Sequence, residues 1–284
     1  MKKIIINADD FGLSRSVNLA IINCFQKGNL TSATMMANMP GADDAADRAS
    51  KNPGLGIGLH FCLTEGSPLT RCRTLVDESG KFHPRSVFLR KSLQRTLDLS
   101  ELVCELQAQF DRLNALGIKP THIDSHQHVH MIPSVFEAIR GKLKEFKLPV
   151  RLVRPLFSRS LFLARPISGI KRALLYCLGA KHWGLEIPAN NRLVSIYDLA
   201  LNRELGSWAY ELLISTARER EVTEIMVHPY ILGEDVVDLY RDQLEMRLPF
   251  LRRCECEYRV LSNSRIFTSG SEYRLINYSN LNHP

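Results

Sequence analysis

The chain has 284 residues, of which 45% are hydrophobic and 24% are charged. This is the composition of an average soluble globular protein, and it excludes disorder, a collagen helix and a coiled coil. An α/β barrel of about 250 residues commonly forms one domain, so we expect residues 1–284 to form a single domain. No apolar run reaches the roughly 18 residues that span a bilayer, and the N-terminus lacks a signal-peptide pattern, which predicts a cytoplasmic location.

The charges are unevenly distributed along the chain. Lys and Arg outnumber Asp and Glu by 37 to 30, and the segment 140–181 contains eleven basic residues but only one acidic residue, Glu145. Such a block favours an anionic partner, such as peripheral contact with an anionic membrane, but it is equally typical of a solvated face. No aromatic-basic nucleic-acid motif is present, so we expect no nucleic-acid partner, while a homodimer stays open. The seven scattered cysteines predict reduced thiols rather than disulfides.

Short apolar runs alternate with longer segments of helical periodicity, which is typical of repeated βα units and a parallel sheet. A buried strand at residues 4–6 is followed by a helix that Ser14 caps and Gly28 ends. Residues 65–99 have no clean period and predict a long loop, after which Ser100 caps the clearest helix. Further strands are predicted at 31–37, 55–61, 121–124, 150–153, 224–227 and 258–261, and further helices near 40, after 133, at 211–220 and at 235–251.

Seven or eight such units in one domain favour a closed or nearly closed (β/α) barrel, regular or distorted, over an open doubly wound sheet. In both folds the functional groups lie at the C-terminal ends of the strands. Four predicted strands run into polar clusters, and six of the nine histidines lie in these clusters. We therefore expect one active site at this end of the domain. The clusters are NADDFG at 7–12, GLH at 58–60, HIDSHQHVH at 122–130 and MVHP at 226–229.

Asp9 and Asp10 directly follow the first apolar strand. Two carboxylates this close disfavour joint ionisation unless a cation compensates, and a divalent metal ion is the obvious one. Neighbouring residues of an extended chain point to opposite sides, so one carboxylate would bind the metal and the other would be placed to take a proton from water. The alternative is that one of them caps the following helix.

Histidine nitrogen and carboxylate oxygen together are a common ligand set for zinc, manganese, iron and cobalt. A lone His60 would be typical of a packed core, but His126, His128 and His130 at alternate positions change that interpretation. At least one of these three would face the metal while the others support it, and Asp124 could accept the ring N–H of a ligand histidine.

His228 follows a separate strand and precedes a proline that ends it. This position makes it a candidate acid or base on the opposite side of the metal, with ordinary packing as the alternative.

At these residues the chain resembles the YdjC-like carbohydrate deacetylases, the family of chitooligosaccharide deacetylase. The resemblance implies a (β/α) barrel and a divalent metal ion, with magnesium or zinc first and manganese, iron or cobalt as alternatives. Carried over residue by residue, it assigns Asp10, His60 and His126 as metal ligands, Asp9 as general base and His228 as general acid. The segments that carry it are NADDFGLS at 7–14, LTSATMMAN at 30–38, GIGLHFCLTEGSPL at 56–69, KPTHIDSHQHVHMIP at 119–133 and MVHP at 226–229.

The resemblance also implies a reaction, the removal of an N-acetyl group from an acetylated amino sugar with release of acetate. The substrate would be chitooligosaccharide-like or glycolipid-linked, because the basic segment 151–185 departs from the family pattern. Two alternatives stay open. One is a metal-dependent phosphoesterase or amidohydrolase on a similar barrel, and the other is a non-catalytic binding protein that acts through its basic face.

Overall fold

The computed structural model of the protein describes residues 1–154, 187–199 and 204–281. Most of the basic segment 151–185 therefore lies outside the described residues, and its predicted role stays a prediction. No helix in the described ranges is long and apolar enough to cross a membrane. The described cysteines are free, and Cys24, Cys62 and Cys254 are buried, in agreement with the expected reduced thiols.

The strands of the described residues form one parallel sheet in the order β4-β3-β2-β1-β6-β5, and β7 pairs with β1. β1 is the central strand, and all its residues from Ile4 onward are buried, as expected for a strand covered on both faces. The strands are β1 Lys2–Phe11, β2 Ser32–Met35, β3 Gly56–Phe61, β4 Ile123–Ser125, β5 Arg192–Val194, β6 Val222–Val227 and β7 Tyr273–Leu275.

The two outer strands, β4 and β5, do not pair directly. Isolated bridges join Val150 to Ile123 of β4 and to Ala189, three residues before β5. The predicted strand at 150–153 is thus represented only by isolated β-bridges at Val150. The α/β class and parallel sheet are confirmed, whereas a complete (β/α) barrel is not shown by the described residues.

Eight α-helices lie in the described part of the chain, and their apolar sides pack against the sheet. Ser14 caps the first of them, as predicted, by accepting a hydrogen bond from the Val17 N–H. The helices are α1 Arg15–Gln26, α2 Ala42–Ser50, α3 Arg85–Leu93, α4 Leu99–Ala115, α5 Pro133–Phe146, α6 Ser207–Ser215, α7 Glu234–Leu239 and α8 Leu244–Asn263.

Two predictions between β3 and β4 were wrong. The expected loop at 65–99 contains α3, which buries only Phe88 and Ser92 and so leaves little apolar periodicity in the sequence. The cap of α4 is Asp98, because its carboxylate accepts the Ser100 N–H, whereas Ser100 acts as a donor.

Two C-terminal predictions were also wrong. The expected helix at 235–251 is divided into α7 and α8, and the expected strand at 258–261 lies inside α8. Leu251, Cys254 and Leu261 are the buried apolar residues of α8, and their spacing of three and seven is helical. A four-residue window is too short to reveal this period, which explains the error.

Candidate metal centre

The carboxyl ends of β1, β3 and β4 bring Asp10, His60 and His126 together. Each of these residues offers one potential ligand atom, and the three atoms lie within 4.8 Å of one another. Asp10 Oδ1 is 2.9 Å from His126 Nδ1 and 3.3 Å from His60 Nε2. The structure thus assembles the three predicted ligands around one point, while their binding of a metal stays a prediction.

The backbone at Asp10 has a positive φ of 66°, which is uncommon for a residue other than glycine. This conformation turns the end of β1, and the Asp10 carboxylate then lies between the histidines and Tyr230. The Tyr230 hydroxyl donates to Oδ2 over 2.5 Å. One carboxylate oxygen is therefore fixed by the protein, and the other faces the two imidazoles.

His60 is oriented by Asp124, as the sequence suggested. The distance from His60 Nδ1 to Asp124 Oδ1 is 2.7 Å. A proton on Nδ1 would leave the Nε2 lone pair facing Asp10, the arrangement common for metal-binding histidines. Burial alone lowers the pKa of His60, but the nearby carboxylates, Asp124 first, outweigh it and raise this pKa to about 10. The site therefore favours a positive charge next to these carboxylates.

His126 begins a short 3-10 helix, His126–Met131, in which Gln127 and His128 have positive φ. This tight turn directs the three histidines of the motif to different places. His128 lines the cleft with His126. His130 is buried elsewhere, where its Nε2–H donates to the backbone oxygen of Arg151 over 2.8 Å. His130 is thus a structural residue, and of the two supporting histidines only His128 faces the cleft.

Asp9 points away from Asp10 and forms a bidentate ion pair with Arg151. Arg151 Nη1 donates to Asp9 Oδ2 over 2.8 Å, and Arg151 Nη2 donates to Asp9 Oδ1 over 2.7 Å. Burial alone raises the pKa of Asp9, but the guanidinium outweighs it, so the pKa is lowered and the carboxylate stays ionised. The structure thus separates the two adjacent carboxylates into different environments.

Arg151 is completely buried and contacts two more carboxylates. Its guanidinium lies 2.5 Å from Asp124 Oδ2 and 2.6 Å from Glu224 Oε1. The Tyr278 hydroxyl donates to the other Glu224 oxygen. Burial outweighs these contacts and raises the pKa of Glu224 to about 7.

The role of Arg151 as a buried ion-pair partner was missed in the sequence analysis because this residue was counted within a basic block. The available signal was an arginine between Val150 and Leu152 in an apolar run.

His228 directly follows β6 and lines the same cleft as the candidate ligands. Its Nε2 is 3.9 Å from Asp9 Oδ2, and its Nδ1 has no hydrogen-bond partner among the described residues. Tyr197 and Phe250 contact the ring edge-to-face, with centroids 6.0 and 5.6 Å away. Burial lowers the pKa of His228, so a neutral imidazole is favoured there.

All five predicted site residues line one cavity of about 630 Å³. The lining combines these carboxylates and imidazoles with apolar side chains. The cleft combines a candidate cation site, an ionised carboxylate and an imidazole, which are the groups that hydrolysis needs. Its apolar lining includes Val153, Leu193, Met226 and Phe250.

Known proteins resemble this chain in sequence and in fold. The family model described as YdjC-like protein matches residues 3–268. A carbohydrate deacetylase from Geobacillus stearothermophilus is 47% identical over 150 residues, which are 53% of this chain and 59% of that protein. A chitooligosaccharide deacetylase from Yersinia pestis is 41% identical over 154 residues, which are 54% of this chain and 60% of that protein. The chain thus spans about three fifths of the length of these curated relatives.

A solved structure covers the chain more completely. It is a protein from Enterococcus faecalis V583, provisionally named a cellobiose-phosphate cleavage protein. The two structures superpose with a TM-score of 0.73 at 26% sequence identity, over 99% of this chain and 98% of the other. This likeness supports the arrangement of strands and helices within the residues that the structure describes.

The buried ion cluster predicts a large cost for removing its guanidinium. We expect Arg151→Met to lower the free energy of unfolding by about 3–5 kcal/mol, because Asp9, Asp124 and Glu224 would stay buried without their partner. Arg192→Met is the matched control, since Arg192 pairs with Glu221 in a partly exposed position and should cost about 1 kcal/mol or less. Urea unfolding measures both; equal losses in the two variants would contradict the prediction.

Proposed function

We propose that this chain, which belongs to the YdjC-like protein family, is a metal-dependent hydrolase that removes an N-acetyl group from an acetylated amino sugar. The proposal rests chiefly on the convergence of Asp10, His60 and His126 beside Asp9 and His228 in one cleft. The relatives named carbohydrate deacetylase and chitooligosaccharide deacetylase support a sugar as the substrate.

Asp10, His60 and His126 would hold the metal ion. The fit is supported by two groups, the Asp10 oxygen that faces both imidazoles and the Asp124 carboxylate that orients His60. Magnesium prefers oxygen ligands, so one carboxylate with two imidazoles favours zinc, or manganese, iron or cobalt, over magnesium. When bound, such an ion would polarise the acetyl carbonyl and make a water molecule more acidic.

Asp9 would act as the general base. Arg151 holds both of its oxygens and keeps it ionised, so the carboxylate is always able to accept a proton. Its lowered pKa makes it a weak base, and it would therefore act on a water more acidic than bulk water. The bidentate contact also fixes its position, which limits the reorganisation that proton transfer requires.

His228 would supply a proton to the departing nitrogen of the sugar. Its Nε2 lies 3.9 Å from Asp9 Oδ2, and Tyr197 and Phe250 pack edge-to-face against its ring. Because burial favours the neutral ring, His228 would first take up the proton that Asp9 removes from water, 3.9 Å away, and would then give it up readily. Water adds to the acetyl carbon, the C–N bond breaks, and the products are acetate and a free amino sugar.

An assay of products tests this function. Purified protein loaded with zinc would be incubated with N-acetylglucosamine oligomers, N-acetylated glycolipids and phosphorylated sugars. We expect acetate and free amine to appear in equal amounts from an N-acetylated sugar. Release of phosphate without acetate would instead favour the phosphoesterase alternative, and binding without any turnover would favour a binding protein.

Removing either candidate histidine ligand should remove the metal. We expect His60→Ala and His126→Ala to lose most of the bound zinc, measured by elemental analysis after dialysis. His128→Ala is the matched control, because His128 lines the same cleft but lies outside the candidate ligand group. Full metal content in both ligand variants would overturn the assignment.

Replacing the proposed base should separate metal binding from turnover. We expect Asp9→Asn to keep its zinc but to lower kcat by about 10²–10⁴-fold, the usual contribution of a general base. Asp43→Asn is the control, because Asp43 lies on α2 and forms an exposed ion pair with Arg112. Metal content and urea unfolding would be measured alongside the rate, and a near-normal rate for Asp9→Asn would show that another group is the base.

A further inference from the structure

Glu65 lies close to the second imidazole of the candidate metal centre. Its Oε2 is 3.9 Å from His126 Nε2, and Arg247 Nη2 donates to the same oxygen over 2.8 Å. The side chains of Glu65 and Arg247 are only 13% and 22% exposed. This pair therefore faces His126 from a largely buried position.

The two nitrogens of His126 have different surroundings. Nδ1 is 2.9 Å from Asp10 Oδ1, on the side of the candidate ion. Nε2 is buried and has no hydrogen-bond partner among the described residues. If Nδ1 serves as the ligand atom, a neutral imidazole carries its proton on Nε2, and that N–H needs an acceptor. The Glu65 carboxylate faces it across a gap that a small side-chain rotation would close.

His60 shows what such an acceptor does. Its Nδ1 is 2.7 Å from Asp124, which leaves Nε2 facing Asp10. The two candidate ligand histidines thus present opposite nitrogens to Asp10 and point their other nitrogens towards two different carboxylates. A carboxylate in this position fixes the tautomer and ring orientation of a ligand histidine and raises its basicity.

We propose that Glu65 is the positioning residue for His126, and that Arg247 holds it in place. When the centre binds its ion, the Glu65 carboxylate accepts the Nε2–H of His126, just as Asp124 accepts the Nδ1–H of His60. Arg247 acts only through Glu65. This inference rests on the proposed metal centre and adds to it a second orienting carboxylate.

The surroundings of Glu65 support a fixed position. Its backbone oxygen accepts hydrogen bonds from Asn38 Nδ2 over 2.9 Å and from Cys62 Sγ over 3.3 Å. On the other side of the pair, the Arg247 guanidinium lies 4.1 Å from the centre of the Tyr240 ring. The backbone and the carboxylate of Glu65 are thus held by different partners, which lowers the entropic cost of orienting His126.

The test measures metal affinity, which requires no knowledge of the substrate. We expect Glu65→Gln to weaken zinc binding about tenfold, in competition with a chromophoric chelator, because the usual cost of losing such a partner is about 10–100-fold. Asp242→Asn is the matched control, since this exposed carboxylate lines a neighbouring cavity that Glu65 and Arg247 also line. It should leave the zinc affinity unchanged.

A double-mutant cycle tests the part assigned to Arg247. Arg247→Gln should also weaken zinc binding, and the variant with both changes should lose no more zinc affinity than Glu65→Gln alone.

The visible absorption of the cobalt-substituted protein should change in Glu65→Gln, because the His126 ligand is altered. It should stay unchanged in Asp242→Asn.

Zinc affinity within twofold of wild type in Glu65→Gln would overturn the inference while leaving the proposed function intact. An equal loss in Asp242→Asn would overturn it as well, because a general charge effect would then explain the result. Wild-type protein that binds none of the candidate metals would overturn the metal centre and this inference together.

Discussion

The buried guanidinium of Arg151 is the interaction on which the cleft depends. It lies among three carboxylates that come from three different strands, β1, β4 and β6, and it is completely buried. Bringing these charges out of water is costly, and only close pairing offsets this cost. Because Asp124 contacts both Arg151 and His60, the same cation fixes the proposed base, Asp9, and one proposed metal ligand. The positions of the proposed base and of this proposed ligand therefore both depend on Arg151.

This linkage explains how adjacent aspartates acquire different environments. Asp9 continues the extended strand and meets Arg151, whereas the positive φ of Asp10 turns its carboxylate towards the imidazoles. Neither caps the following helix, since Ser14 does so. A cation already neutralises Asp9, so the remaining demand for positive charge lies at Asp10 and the two histidines. That is where the proposed metal ion would bind.

The sequence predicted the parts of the site that local patterns encode. Parallel strands place their carboxyl ends at one edge, so polar residues after apolar runs predicted that these clusters meet there. The choice of Asp10, His60 and His126 within the clusters came from the family resemblance. Arg151 could not be assigned, because its partners are distant in sequence and its neighbours suggested a basic surface. The same reason applies to Tyr278, which reaches Glu224 from a C-terminal 3-10 helix with no recognisable motif. Pairing between distant charges leaves no periodic signal.

Helix α8 shows how a segment without a motif can shape the chemistry. Its Arg247 contacts Glu65 at one side of the cleft, and its Phe250 packs against His228 at the other. Glu257 of the same helix accepts the backbone N–H of His228, and burial raises the pKa of Glu257 to about 8. A carboxyl group held in this way is costly to bury unless its partners stay in place. A shift of this helix would thus displace the proposed acid and the carboxylate facing His126 together, so the strands supply the reactive groups while α8 holds their relative positions.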